Sequence, residues 1–317
     1  MKKNIRLRIA MSLVACLMAS EAFATPINGF SAEAWKLENG QYIDASGNPI
    51  TGVLEKGITV TKYQNRQNET NGGINWKAVA EDGVSFAMVR IGYLNDMDPY
   101  FSENMNNAAA NGIKTGIFFY TQALDAQTAT EEAKYVLRQV KDYRVSYPIA
   151  YDVESQYLLD NNLSRQQITD NINAFCKTIA DAGYHPIVYA NNKWLTFHID
   201  MNQIPYDVWY ARYGTVNECK NRTIWQCTDK GRVAGIDGDV TIELSFADYR
   251  SLMPPDGFKT IDGEWYYMKN YEKQTGWIQT DGNWYYFDNN GIMVHDTTIE
   301  INGITYSFNS SGGLINK

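Results

Sequence analysis

Asp152 and Glu154 stand two residues apart in "PIAYDVESQY" (148–157), an otherwise apolar run. On an extended strand residues i and i+2 project to one face, so the two carboxyls would share it with β-carbons about 6.5–7 Å apart, while Val153 points away. Two close carboxyls suit hydrolysis of a glycosidic bond. One stays protonated to donate to the leaving oxygen, its pKa raised by its neighbour's charge, and the other stabilises positive charge developing on the sugar. Spacing alone fixes neither a retaining nor an inverting course. A second reading has the acids simply flanking a strand end, bound by solvent or by a helix N-terminus.

The elements that would hold this pair are legible as a series. Eight β-rich runs, "GITVTKY", "FAMVRIGY", "KTGIFFYTQ", "PIAYDVE", "HPIVYAN", "DVWYARY", "TIWQCT" and "DVTIEL", occur in order between residues 57 and 244. Several are separated by segments whose apolar residues recur at three and four, notably 129–143 and 164–183, the latter opened by Ser164 as N-cap and closed by Gly183. Strands with helical crossovers predict an α/β fold, a (β/α) barrel, with an open parallel sheet as the alternative. In a barrel, reacting groups gather at the C-terminal strand ends, where the pair lies.

The flanks differ from this middle. Lys2, Lys3, Arg6 and Arg8 precede an apolar segment, and "AFA" at 22–24 fits a signal-peptidase site, so residues 1–24 are expected to be removed on export. "LVAC" (13–16) offers a second reading, a lipoprotein box that would leave Cys16 lipidated. That segment is far short of a membrane span, and no other run is long enough. Loss of four basic groups and Glu21 moves the formal net charge from −8 to −11, which leaves no basic stripe for nucleic acid or anionic lipid. Residues 25–55 read as a linker or a lone divergent hairpin, "WKLENGQYIDASGNPITG". At the other end "DGEWYYM", "DGNWYYF" and "NGITYSF" recur at 19 and 21 residues, the pattern of stacked β-hairpins over 251–317. Cys219 and Cys227, eight apart, are compatible with a disulfide, and spacing does not decide it. The three histidines lack ligand spacing to Cys or Glu, so neither metal nor cofactor is expected.

Taken together, "GITVTKYQ", "INWKAVAEDGVSFAMVRIGY", "AYDVES", "AGYHPIVYANNKWL", "DVWYARY" and "WQCTDKGRVAGIDGDV" resemble the glycoside hydrolase family 25 lysozymes over about residues 56–250. The resemblance implies a complete (β/α) barrel and an N-acetylmuramidase that cuts the β-1,4 bond between N-acetylmuramic acid and N-acetylglucosamine of peptidoglycan. It implies Glu154 as general acid and Asp152 as its stabilising partner, with Arg90, Asp98, Tyr120, Tyr189, Trp209 and Gln226 toward the sugar. Asp98 has a second reading as the cap of a helix starting near Tyr100. Two positions depart from the pattern, because Thr59 and Thr241 stand where the family carries acids. Glu243, expected on the face of Thr241 and nearer the mouth, is the candidate replacement, with a structural salt bridge as the other reading; Asp239 shares that predicted face.

The tail resembles the cell-wall-binding repeats of autolysins, choline-binding modules included. In such modules aromatics cage a quaternary ammonium, and Trp277, Trp284 and Tyr286, with Trp265 from the unit before, are the candidates here; the other reading has them only building the hairpin core. A secreted, wall-associated monomer with peptidoglycan as its partner is the expectation. Two rival functions are a wall-binding protein that has lost turnover with the two threonines, and a chitinase-like hydrolase.

Overall fold

The computed structural model describes residues 35–44, 47–94, 96–213, 219 and 221–316; the expected signal segment, with Cys16, lies outside the described residues. Each of the eight β-rich runs forms a strand: β1 (Glu55–Val60), β2 (Phe86–Tyr93), β3 (Lys114–Tyr120), β4 (Ile149–Asp152), β5 (Pro186–Asn191), β6 (Asp207–Ala211), β7 (Arg222–Val233) and β8 (Ile236–Ser245). They pair in a closed ring, β1 joining both β2 and β8. This is a mixed α/β barrel, and an open sheet is ruled out.

One strand departs from a uniform (β/α) repeat. β1 to β7 are parallel, whereas β8 is antiparallel to β7 and to β1. Only Ala234 and Gly235 connect β7 to β8, far too few residues for a crossover. Gly235 has φ +90°, and a Cβ there would stand 2.3 Å from the Asn75 carbonyl oxygen, so the turn admits glycine only.

The parallel strands are apolar on both faces because both are covered. Inside the barrel Phe86, Met88, Phe118, Ala150, Ile187, Trp209 and Ile224 form one cluster, while the outward residues pack under the helices. Helix Ala126–Val140 is capped by the Asp125 carboxylate, and helix Arg165–Asp181 opens on a capping box between Ser164 and Gln167. From the first of these helices a buried carboxylate, Glu132, accepts hydrogen bonds from the Thr121 hydroxyl (2.7 Å), the Tyr151 hydroxyl (2.6 Å) and the Gln122 amide (3.0 Å). Burial pushes its pKa up, and the three donors oppose that. Tyr151 adjoins Asp152, and the Thr121 amide bonds the Asp152 carbonyl (3.0 Å), so Glu132 braces the acid-bearing strand from outside. Glu132→Ala removes the acceptor that these donors share, leaving the Thr121 and Tyr151 hydroxyls (2.6 Å apart) only each other and the Gln122 amide without it, and is expected to cost about 2 kcal/mol in urea denaturation.

At the N-terminal side Trp35–Glu38 and Gln41–Asp44 form the divergent hairpin. Its Trp35 indole donates to Cys227 Sγ (3.0 Å), whose thiol in turn meets the Ile242 carbonyl (3.1 Å). Cys219 and Cys227 are thiols and do not form a disulfide. The C-terminal repeats are hairpins with two-residue turns at Asp262-Gly263, Asp281-Gly282 and Asn302-Gly303, both central residues at positive φ as that turn demands. The first hairpin docks where helix Arg165–Asp181 ends, Thr260 N–H bonding the Ala182 carbonyl (3.2 Å) and Lys259 reaching the Gly183 carbonyl. That is the end of the barrel opposite Asp152. Among the described residues no helix is long and apolar enough to cross a membrane.

Candidate active site

Asp152 is the last residue of β4, level with Tyr120 on β3 and Tyr189 on β5, and wholly buried. Glu154 lies just beyond the strand rather than on it. The chain turns there because Asp152 Oδ1 accepts the Glu154 amide (3.1 Å) and the Val153 carbonyl accepts that of Ser155 (2.7 Å), which starts the short helix Gln156–Asp160. Glu154 Oε1 accepts the backbone N–H of Asn191, the last residue of β5, and the Tyr120 hydroxyl approaches the Glu154 carbonyl (3.4 Å). Although the Glu154 residue keeps some surface at the mouth, its carboxyl is packed in. Burial first, and the Asp152 charge second, push its pKa up to about 8 against the pull of the Asn191 amide. Both effects favour the protonated form of Glu154.

The two threonines prove to be one place. Thr59 and Thr241 are direct cross-strand partners on β1 and β8, so both departures fall on a single pair of facing positions. Because β8 is antiparallel, Glu243 lies below Thr241, opposite Gly57, and not nearer the mouth as expected from the sequence. It is fully buried and makes no ion pair among the described residues, which removes the salt-bridge reading. Its Oε1 accepts from Thr59 Oγ1 (2.7 Å) and Gln226 Nε2 (3.1 Å), while Oε2 has no hydrogen-bond partner. Burial pushes its pKa up to about 7; Thr59 and Gln226 hold it down, with a smaller pull from Thr241, whose hydroxyl falls outside hydrogen-bond geometry. Asp239, predicted on the same face, is instead turned to solvent and paired with Arg232 and with Lys230 (3.4 Å).

Gln226 joins this cluster to the wall of the mouth, its Oε1 accepting from the Tyr189 and Tyr213 hydroxyls at 3.0 Å each. Trp209 is inside the barrel, edge-on to Tyr189 (4.5 Å between centroids), with its indole N–H buried and unpartnered. Arg90 and Asp98 occupy one another. Asp98 is buried and accepts Arg90 Nη2 (2.6 Å) and Nε (3.0 Å), the Lys62 amide (2.9 Å) and the Tyr100 amide (3.1 Å), so it anchors the start of helix Phe101–Ala110 as well as the arginine. Asn191 and Tyr213 escaped the sequence reading. A backbone donor carries no side-chain signature, and Tyr213 reaches the site only through the barrel's curvature. Among the described residues no group of three or more His, Cys, Asp or Glu is placed to hold a metal ion.

In the repeats the rings sort differently from the sequence expectation. Trp277 packs with Trp284 (6.2 Å) and Tyr286 (5.1 Å) of its own hairpin, and with Tyr306 (4.8 Å) and Phe308 (5.8 Å) of the next hairpin. Trp265 belongs to an equivalent cluster, with Phe258 between it (6.1 Å) and Tyr285 (5.2 Å). Trp265 and Trp284 stay 43% exposed, so they are not purely core residues.

The model for "Glycosyl hydrolases family 25" matches residues 58–236, more than half of the chain. The chain belongs to this family. Choline-binding and putative cell-wall-binding repeat models match residues 274–317 and 256–270. Lysozyme M1 of Streptomyces globisporus is 28% identical over 205 residues, covering 58% of this chain and 65% of that protein, and the uncharacterized protein YegX of Escherichia coli K12 is 27% identical over 202 residues, 59% and 68%. Among solved structures the lysozyme of Streptomyces coelicolor superposes with TM-score 0.53 at 25% identity, covering 64% of this chain and 96% of that one. The modular autolysin LytC of Streptococcus pneumoniae gives TM-score 0.58 at 23% identity, covering 67% of this chain. The chain spans about half of LytC, 52%. On this barrel wall the neutral Thr59–Thr241 pair stands with the Glu243 carboxyl one pleat below it.

Proposed function

We propose that this protein is an exported peptidoglycan hydrolase that cleaves the β-1,4 bond between N-acetylmuramic acid and N-acetylglucosamine. The reading rests on the family membership and on one observation above all: at the barrel mouth the packed Glu154 carboxyl stands beside the wholly buried Asp152, whose Oδ1 accepts the Glu154 amide (3.1 Å), and burial and that neighbouring charge push the Glu154 pKa up. Glu154 donates its proton to the leaving glycosidic oxygen. Asp152 supports the positive charge that grows at the anomeric carbon or orients the neighbouring acetamido group, and Glu154, now a carboxylate, takes a proton from the incoming water. The neutral pair Thr59 and Thr241 leaves this machinery in place, since neither hydroxyl is part of it.

The chain without residues 1–24 is expected to release reducing ends from purified peptidoglycan but not from chitin, with products ending in reducing N-acetylmuramic acid on mass analysis. Retention on cell walls without any release would favour a binding scaffold instead. Retention itself is assigned to the repeats, where Trp277 packs edge-on with Trp284 and Tyr306 and Trp284 stays exposed, aromatic rings of the kind that attract a quaternary ammonium such as choline. Trp277→Ala removes the ring shared by every wall of that cluster and is expected to weaken co-sedimentation with choline-bearing walls at least about tenfold. Turnover of soluble glycan fragments by the same variant should hold within about twofold.

A further inference from the structure

We infer that the end of the barrel remote from Asp152 carries a second site, a cleft between the barrel and the first repeat that binds a phosphate or phosphodiester group. The cleft encloses about 190 Å³, and Lys114, Arg144 and Arg250 line it together with Ser146, Asn270 and Tyr271. Among the described residues no carboxylate lines it, although the formal net charge of the chain is −8. The charge of the whole molecule repels anions, so only local cations can hold one here. The three cations arrive from separate elements. Lys114 opens β3, Arg144 lies on the segment before β4, and Arg250 is on the short helix Tyr249–Leu252 after β8. The seven residues of β3 run about 20 Å from Lys114 to Tyr120, which is level with Asp152, so the cleft is separate from the acid pair.

The neighbouring acids have other contacts. Glu55 pairs with Lys114, Asp248 accepts the Arg250 amide (3.1 Å) and the Ser251 hydroxyl (2.6 Å), and Asp256 accepts the Asn270 amide (2.8 Å). Among the described residues neither Arg144 nor Arg250 pairs with a carboxylate. Arg144 instead donates to Asn270 Oδ1 (3.1 Å) and lies over the Tyr271 ring, 5.8 Å from its centroid. That bond fixes the Asn270 amide with its NH₂ as a further donor, and the Ser146 hydroxyl, which accepts the Thr115 amide (3.1 Å), keeps a proton to give. Asn270 and Tyr271 form a tight turn with both φ positive, +53° and +64°, a costly backbone for a tyrosine. The turn is held because the Tyr271 amide donates to the Pro255 carbonyl (2.7 Å) and its hydroxyl to the Met253 carbonyl (2.9 Å). Donors from barrel and repeat thus surround one space, which suits an oxyanion that only accepts. One guanidinium fork satisfies a planar carboxylate, whereas the oxygens of a phosphate point several ways and meet donors converging from several elements.

Binding is read without turnover, so the test stands apart from the hydrolase reading. The full chain is titrated with inorganic phosphate, with poly(glycerol phosphate) and with acetate, all in chloride buffer of one ionic strength. Both phosphate probes are expected to bind, and acetate at least about tenfold more weakly. Arg250 makes no ion pair among the described residues, so Arg250→Gln spares the fold, and it should weaken phosphate binding at least about tenfold. Arg144→Lys keeps the charge without the fork and should weaken it about threefold. The Asn270 side-chain amide signal in ¹⁵N NMR, assigned by its disappearance in Asn270→Ala, should shift with phosphate in wild type and stay in place in Arg250→Gln. Tighter binding of the polymer than of free phosphate would make a wall polyanion the source, and the reverse a small soluble phosphate ester; both keep the site. Absence of binding by either phosphate probe, equal affinity for acetate, an unchanged affinity in Arg250→Gln or an unmoved Asn270 signal would each overturn the inference.

Discussion

Glu154→Gln is expected to lower kcat about 10³-fold at neutral pH while leaving the protein folded and retained on cell walls. The side chains are close in shape, and the glutamine carbonyl can still accept the Asn191 amide that holds Glu154 now. What disappears is the proton. Burial and the adjacent Asp152 keep that proton on up to about pH 8, so wild type has a general acid at pH 7 and the variant has none. The same substitution carries a stability signature of definite sign. The folded pKa of Glu154 lies above its unfolded value, so the carboxyl contributes stability that is complete below about pH 4.5 and is lost as pH rises through about 8. Glutamine has no such loss. The melting temperature of Glu154→Gln should therefore gain on wild type between pH 5 and pH 9, by the equivalent of roughly 2 kcal/mol once solvent at the mouth is allowed for. Calorimetry at the two pH values, beside reducing-end release, checks both halves. A variant that stays as active as wild type would move the acid role elsewhere.

Much of this was open to reading from the chain, and the exceptions share a cause. The seven parallel strands showed as apolar runs because parallel strands covered on both faces must be apolar throughout, and the eighth, antiparallel one showed in the same way. The direction of the last one did not show, since "DKGRVAGIDGD" looks like a loop and in fact continues β7, turns at Gly235 and begins β8. That one error placed Glu243 near the mouth, when reversal of the strand puts it a pleat below Thr241. Periodicity reports which face a residue takes, but strand direction decides its depth. Pairings between distant segments were likewise out of reach. Arg90 and Asp98 are eight residues apart and each looks like a sugar contact, yet they neutralise one another. Tyr306 completes the Trp277 cluster from a different hairpin, and no spacing within one repeat reveals which neighbouring unit lends the third wall. The acid pair was legible because both its members lie within three residues, whereas the Asn191 amide that steadies it comes from the next strand.

Asp152→Asn separates what the neighbouring acid does from what the general acid does. Asp152 is the second cause of the raised Glu154 pKa, after burial. Removing its charge must lower that pKa, though burial keeps it above the ordinary value of 4.5. The alkaline limb of kcat/KM, set by loss of the Glu154 proton, is thus expected to move to lower pH. At pH 7 two losses combine, since some Glu154 has given up its proton and the developing positive charge on the sugar has lost its nearest anion; together they amount to about 10²- to 10³-fold. Lowering the pH restores the first loss and leaves the second. Activity of Asp152→Asn relative to wild type should accordingly improve as pH falls from 7 to 5 and then level off well below unity. A limb that stays where wild type has it would mean that the two carboxyls do not sense one another. Full recovery at pH 5 would mean that Asp152 acts only by keeping the proton on Glu154, and the charge at the anomeric carbon would then need another partner among the groups at the mouth.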